Sequence, residues 1–151
     1  MKKLFIFLFA LAAFSSCTTT KPLYNWGGYE ERYYEYYKTQ TPESYARLYE
    51  QYAYLVDNPG GTRGVIPPGI CAEFGYLLIA PETAAILKDY YSNPDNLSPK
   101  TRKAMKDVDL DATFAPGELR SKGLKMLQME IQLYPESAVF LEPIIKKFSQ
   151  Q

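Results

Sequence analysis

The 151-residue chain contains no histidine. That absence removes Ser-His-Asp and Cys-His catalysis, imidazole-ligated zinc and the commonest general base. An enzyme made from this chain would have to work with carboxylates, lysine or tyrosine. Cysteine is nearly as scarce, with Cys17 and Cys71 the only two. Charge of one sign is lacking as well, since 17 basic and 17 acidic side chains cancel. Such a balance does not favour nucleic acid, whose binding leans on a basic face. The apolar run from Leu4 to Phe14 is shorter than the roughly 20 residues that a spanning helix takes.

What the N-terminus does contain is a pattern. Met1 to Lys3 is basic, LFIFLFALAAF is apolar, and Ser15, Ser16 and Cys17 follow. A basic start, a short apolar core and small residues before a cut site read as a secretory signal. Cys17 directly after Ser15-Ser16 resembles the bacterial lipobox, in which the thiol is lipidated and the cysteine becomes the new N-terminus. Phe14 departs from the usual leucine there. Several acyl chains on one residue anchor stably, whereas one is marginal. The alternative is plain secretion with Cys17 an incidental thiol. The expected organisation is a leader over 1–16, a lipidated tether over 17–25 and one helical interaction domain over 26–151. Loss of the leader takes Lys2 and Lys3, leaving an excess of two acidic residues. Thr18 stands where an inner-membrane retention signal would show Asp, so the expected location is the outer membrane, facing the periplasm. Cys71 is then alone and cannot form an internal disulfide. Its place beside Ile70 and Phe74 suggests a buried, inert thiol.

Beyond the tether, Trp26-Gly27-Gly28-Tyr29 opens the domain, and helices follow. Glu30–Lys38 is short and tyrosine-rich. Pro42–Val56 has Thr41 as a cap, proline in the first turn and Glu43 at the dipole's positive end. Residues 57–65 (DNPGGTRGV) read as a loop. Pro67-Pro68 is expected to start the next helix, with Ile70, Phe74, Leu77 and Leu78 on one face. Glu82–Tyr91, Ser98–Val108, Pro116–Tyr134 and Ser137–Phe148 complete the series. In the last, Phe140, Leu141, Ile144, Ile145 and Phe148 are expected inward, and Pro143 predicts a kink near Val139. Asp107 to Phe114 alternates in character and could be extended. The predicted class is all-α, with antiparallel helical hairpins.

Ala72–Leu77 and Glu130–Ser137 look like the two halves of one tetratricopeptide unit, interrupted by inserted helices; generic helical packing is the alternative. Gly75 would let a partner helix approach closely. The motifs PLYNWGGY (22–29), VIPPG (65–69), GYL (75–77), LYPES (133–137) and IIKKF (144–148) occur in order. Together they resemble the small bacterial lipoprotein family known as the domain of unknown function numbered 4810. Members of that family usually lack the central stretch from Pro81 to about Ser121. The resemblance implies no established activity. It implies a companion of a curli-secretion-channel-like lipoprotein in an envelope complex.

Candidate chemistry is sparse. Asp107, Asp109, Asp111 and Glu118 match the spacing of a calcium loop. Against that, Ala112 replaces the turn glycine, and a solvated loop with capping acids is the alternative. Tyrosines crowd residues 33–54. Tyr45, Tyr49 and Tyr52 share a stripe that suits a core, while Tyr34, Tyr37 and Trp26 are candidates for exposed, glycan- or protein-binding rings. No carboxylate pair is marked out for glycoside chemistry. The expectation is a membrane-anchored, non-enzymatic adaptor with protein partners and no cofactor, nucleic acid or small-molecule substrate.

Overall fold

The computed structural model describes residues 21–150, so the expected leader and Cys17 lie outside the described residues. Eight α-helices are present among them: α1 Tyr29–Thr39, α2 Pro42–Asp57, α3 Ile70–Ile79, α4 Thr83–Ser92, α5 Pro99–Met105, α6 Leu110–Thr113, α7 Pro116–Leu133 and α8 Ala138–Ser149. Short 3-10 turns at Pro94–Asn96 and Pro135–Ser137 join α4 to α5 and α7 to α8. The described residues hold no strand beyond an isolated bridge between Gly60 and Val65. The all-α expectation holds.

Local chemistry sets most boundaries. Thr41 accepts from the Ser44 backbone N–H, and the Ser44 hydroxyl accepts in return from the Thr41 N–H, a capping box ahead of Pro42. Ser98 caps α5 by accepting from the Thr101 N–H. The third helix starts at Ile70, three residues later than Pro67 suggests. Gly69 takes φ 87°, a left-handed conformation that no helical residue shares, so it closes the Pro-Pro-Gly turn and helix begins after it. The alternation in 107–114 is not an extended piece. Asp109 accepts from the Ala112 N–H and nucleates α6. Pro143 lies inside a helix that runs unbroken from Ala138 to Ser149.

The core gathers Leu48, Tyr52 and Leu55 from α2, Ile70 and Phe74 from α3, Leu87 from α4 and Leu119 from α7. Phe74 stacks on Tyr52 at 5.6 Å and meets Tyr49 edge-on at the same separation; Phe114 stacks on Tyr91 at 5.3 Å. The most extensive helix packing is α3 on α7. It depends on two glycines. A Cβ on Gly75 would lie 2.7 Å from Leu127 Cδ2 and 2.9 Å from the Gly123 carbonyl oxygen. One on Gly123 would lie 2.8 Å from the Gly75 carbonyl oxygen. The α3 and α7 backbones therefore meet at Gly75 and Gly123, the latter outside the Glu130–Ser137 fragment. The α3–α4 connection turns through 86°, a corner where a hairpin was expected.

Two burial expectations change. Phe140 is exposed rather than inward, and Leu141 is the one fully buried residue of α8. Tyr49 is half-buried, while Tyr45 and Tyr52 are buried as expected.

Candidate functional site: an acidic tyrosine groove

Tyr29 and Tyr33 sit four residues apart on α1, so their rings share a face and meet at 5.7 Å. Trp26 packs on Tyr29 at 6.0 Å, extending the row to the start of the domain. Across from α1, Glu73 and Tyr76 project from α3 with the three-residue spacing that keeps them on one face. Between the two helices an open groove of about 390 Å³ is lined by Tyr33, Tyr36, Tyr45, Tyr52, Tyr76 and Leu77. Its charged lining residues are Glu73 and Glu82, both acidic. Tyr33 and Tyr76 form exposed rims, and Tyr45 and Tyr52 form a buried floor.

The hydroxyls at the floor of the groove are committed. The Tyr52 hydroxyl donates to Glu73 Oε2 at 2.7 Å, and the Tyr29 hydroxyl donates to the same oxygen. Burial, then the hydrogen bond to Glu73 and its charge, push both phenols well above the usual tyrosine range. They stay protonated and act as fixed donors. The Tyr45 hydroxyl donates to the Leu77 carbonyl at 3.3 Å and lies 2.5 Å from Thr83 Oγ1. Burial pushes Tyr45 up to about 12. A groove with aromatic walls and two carboxylates can hold a cationic or hydroxyl-rich ligand by stacking, cation–π contact and hydrogen bonds accepted by the carboxylates. It offers no pair of groups poised as nucleophile and base.

The predicted site residues are scattered. Tyr34 and Tyr37 are exposed, as expected, but it is Tyr33 and Tyr36 that line the groove. The calcium constellation is not assembled. The Asp109 carboxylate turns to its own backbone as a cap, Asp111 pairs with Lys88, and Glu118 lies in the first turn of α7. Helix α6 occupies the stretch that a calcium loop would need, and among the described residues no group of three or more acids or cysteines could hold a metal. Cys71 is buried, and burial with the nearby Glu130 pushes its thiol up to about 12. Glu73, Tyr76 and Glu82 were missed. Glu73 and Tyr76 share one helix face, but nothing local shows that α1 covers it.

A family model described as a domain of unknown function, DUF4810, matches residues 23–107. No curated protein and no solved structure matches the chain. The matched span includes residues 81–107, so much of the stretch expected as an insertion falls within it. The LYPES and IIKKF motifs lie beyond it.

Proposed function

The chain belongs to the DUF4810 family, whose function is unknown, and we propose that it is a lipid-anchored, non-enzymatic accessory subunit of a bacterial envelope complex that receives a basic segment of a partner protein. The anchor reading rests on residues 1–17, with Cys17 as the lipidated residue. The resemblance stated above makes a curli-secretion-channel-like lipoprotein the first partner to test. The single observation that carries the binding role is the groove walled by Tyr33 and Tyr76, with acids at Glu73 and Glu82. Tyrosine is enriched at protein interfaces, and its ring face attracts lysine and arginine. Among the described residues no single helix is long and apolar enough to cross a membrane.

The test is photo-crosslinking in native envelopes with a benzophenone side chain at position 76 or 33. The expected product is one discrete protein adduct, lost when Glu73→Gln and Glu82→Gln are combined. Diffuse or absent adducts with correctly localised protein would remove the proposal. A second reading, glycan binding, draws on the same exposed ring faces together with Trp26. Cosedimentation with purified peptidoglycan, abolished by Tyr33→Ala with Tyr76→Ala, would favour it over a protein partner.

A further inference from the structure

Residues 22–25 are held on the 57–65 loop. The Thr62 N–H donates to the Pro22 carbonyl at 3.0 Å, and the Arg63 N–H donates to the Leu23 carbonyl at 3.1 Å. Two glycines make room for this seating. A Cβ on Gly61 would stand 2.5 Å from the Leu23 carbonyl oxygen, and one on Gly60 would stand 2.9 Å from Asn25 Cβ. The Arg63 guanidinium donates to the Tyr24 hydroxyl at 2.6 Å and lies 5.6 Å from the centre of its ring, which fixes that ring in place. Trp26 meets Tyr24 edge-on at 6.4 Å and packs on Tyr29 from its other neighbour position at 6.0 Å. Where these residues meet, an open cleft of about 610 Å³ is lined by Lys21, Pro22, Tyr24, Asn25, Trp26 and Gly60. Its one charged lining residue among those described is Lys21. Asn25 Oδ1 accepts from the Gly27 N–H at 3.1 Å, which leaves the Asn25 amide nitrogen as a further donor at the cleft. The Trp26 side chain is exposed there.

We propose that this cleft takes the headgroup of a phospholipid in the membrane that carries the anchor, with Lys21 facing the phosphate and the Trp26 indole at the boundary with the acyl chains. The inference rests on lipidation of Cys17. Position in the chain is its first support. Cys17 stands four residues before Lys21, a span of at most about 14 Å when fully extended. Acyl chains on Cys17 put that residue at the membrane surface, so the lysine that lines the cleft stays within that distance of it. Chemistry is the second support. Tryptophan and tyrosine collect at membrane–water interfaces, where the ring body meets the chains and the N–H or hydroxyl meets the polar layer. A lysine at the same level attracts an anionic phosphate. A basic peptide segment would be repelled by Lys21, and the acids suited to one, Glu73 and Glu82, line the other groove.

Trp26 is the only tryptophan of the chain, so its emission reads the cleft in the unaltered protein. The test uses the mature lipoprotein in vesicles of phosphatidylethanolamine and phosphatidylglycerol, with and without bromine on the acyl chains next to the headgroup. Bromine quenches only at near contact, so a domain that is anchored but not docked escapes it. The expected result is loss of about half of the emission or more, as for an apolar group at interfacial depth. Lys21→Glu, a change at an exposed side chain, should cut that quenching about twofold or more while circular dichroism stays unchanged. Quenching that ignores Lys21→Glu would remove the headgroup contact and overturn the inference. Mass analysis of the N-terminus is run on the same sample. A lipidated Cys17 with an unquenched indole overturns the inference and leaves the anchor standing; an unlipidated Cys17 overturns both. An indole untouched by bromine but shifted in emission by soluble peptidoglycan fragments would assign the cleft to a glycan and also overturn it.

Discussion

The Glu130 carboxylate caps a helix that starts 60 residues before it. It accepts from the Gly69 N–H at 2.7 Å and from the Ala72 N–H at 3.3 Å, at the N-terminus of α3. Gly69 has no side chain to serve as a cap, so the acid is supplied from α7. The same contact ties the two helices that cross at Gly75 and Gly123.

Glu130→Ala would leave two backbone donors without an acceptor in a buried site. The expected loss is about 2 kcal/mol, measured by urea unfolding at neutral pH. A loss near zero would mean that water takes over the cap.

Glu130 also predicts a pH dependence. Burial raises its pKa above the ordinary 4.5, and the Gly69, Ala72 and Cys71 N–H groups offset this only in part. A carboxyl raised in the folded state binds its proton more tightly there than in the unfolded chain. Its contribution is therefore greatest below 4.5 and is lost as pH rises through the folded value. Other carboxylates titrate in the same range, so the clean measurement is the difference between wild type and Glu130→Gln. The penalty of the glutamine variant should shrink as pH rises from 4.5 toward neutrality. A penalty that grows would contradict the assignment.

Gly75→Ala and Gly123→Ala should each destabilise by about 1–3 kcal/mol, because the contact each Cβ meets includes backbone that cannot step aside. Gly117→Ala is the control, with nothing within 4 Å of the added carbon. Thermal melts should separate the first two variants from the third by several degrees.

Tyr29 and Tyr52 share Glu73 Oε2, and both phenols are raised above the usual 10. Folding therefore loses stability as pH climbs beyond about 10. Ultraviolet titration should show the ionisation of these two phenols arriving with unfolding. Glu73→Gln should let Tyr29, the less buried of the pair, ionise at lower pH, since the charge that opposes its phenolate is gone.

Features whose cause lies within one turn of chain were legible in the residues. Thr41 with Pro42 and Ser98 with Pro99 are of that kind, whereas the close approach at Gly75 was legible only as a gap in an apolar face, its partner Gly123 lying on another helix. Asp109 misled because an alternating run of acids and apolar residues also fits a capped single turn, and only the Asp109–Ala112 bond decides between them. Gly69 delayed α3 because its left-handed φ, not the preceding prolines, sets the first helical residue. The groove was half legible. The tyrosine stripe on α2 pointed to a core, but the pairing of Tyr52 with Glu73 depends on α2 packing against α3. Phe140 fitted an inward pattern by spacing alone. It is outward because α8 packs chiefly on α7, with Leu141 as its buried residue, and Phe140 is turned away from that contact.

The proposed function requires that this helical domain works tethered by lipid on Cys17. Intact-mass and peptide analysis of the protein extracted from envelopes tests it directly. The expected product is an N-terminal peptide starting at Cys17 and carrying acyl chains, with residues 1–16 gone. A peptide that retains the leader, or one in which the Cys17 sulfur is unmodified, would contradict it.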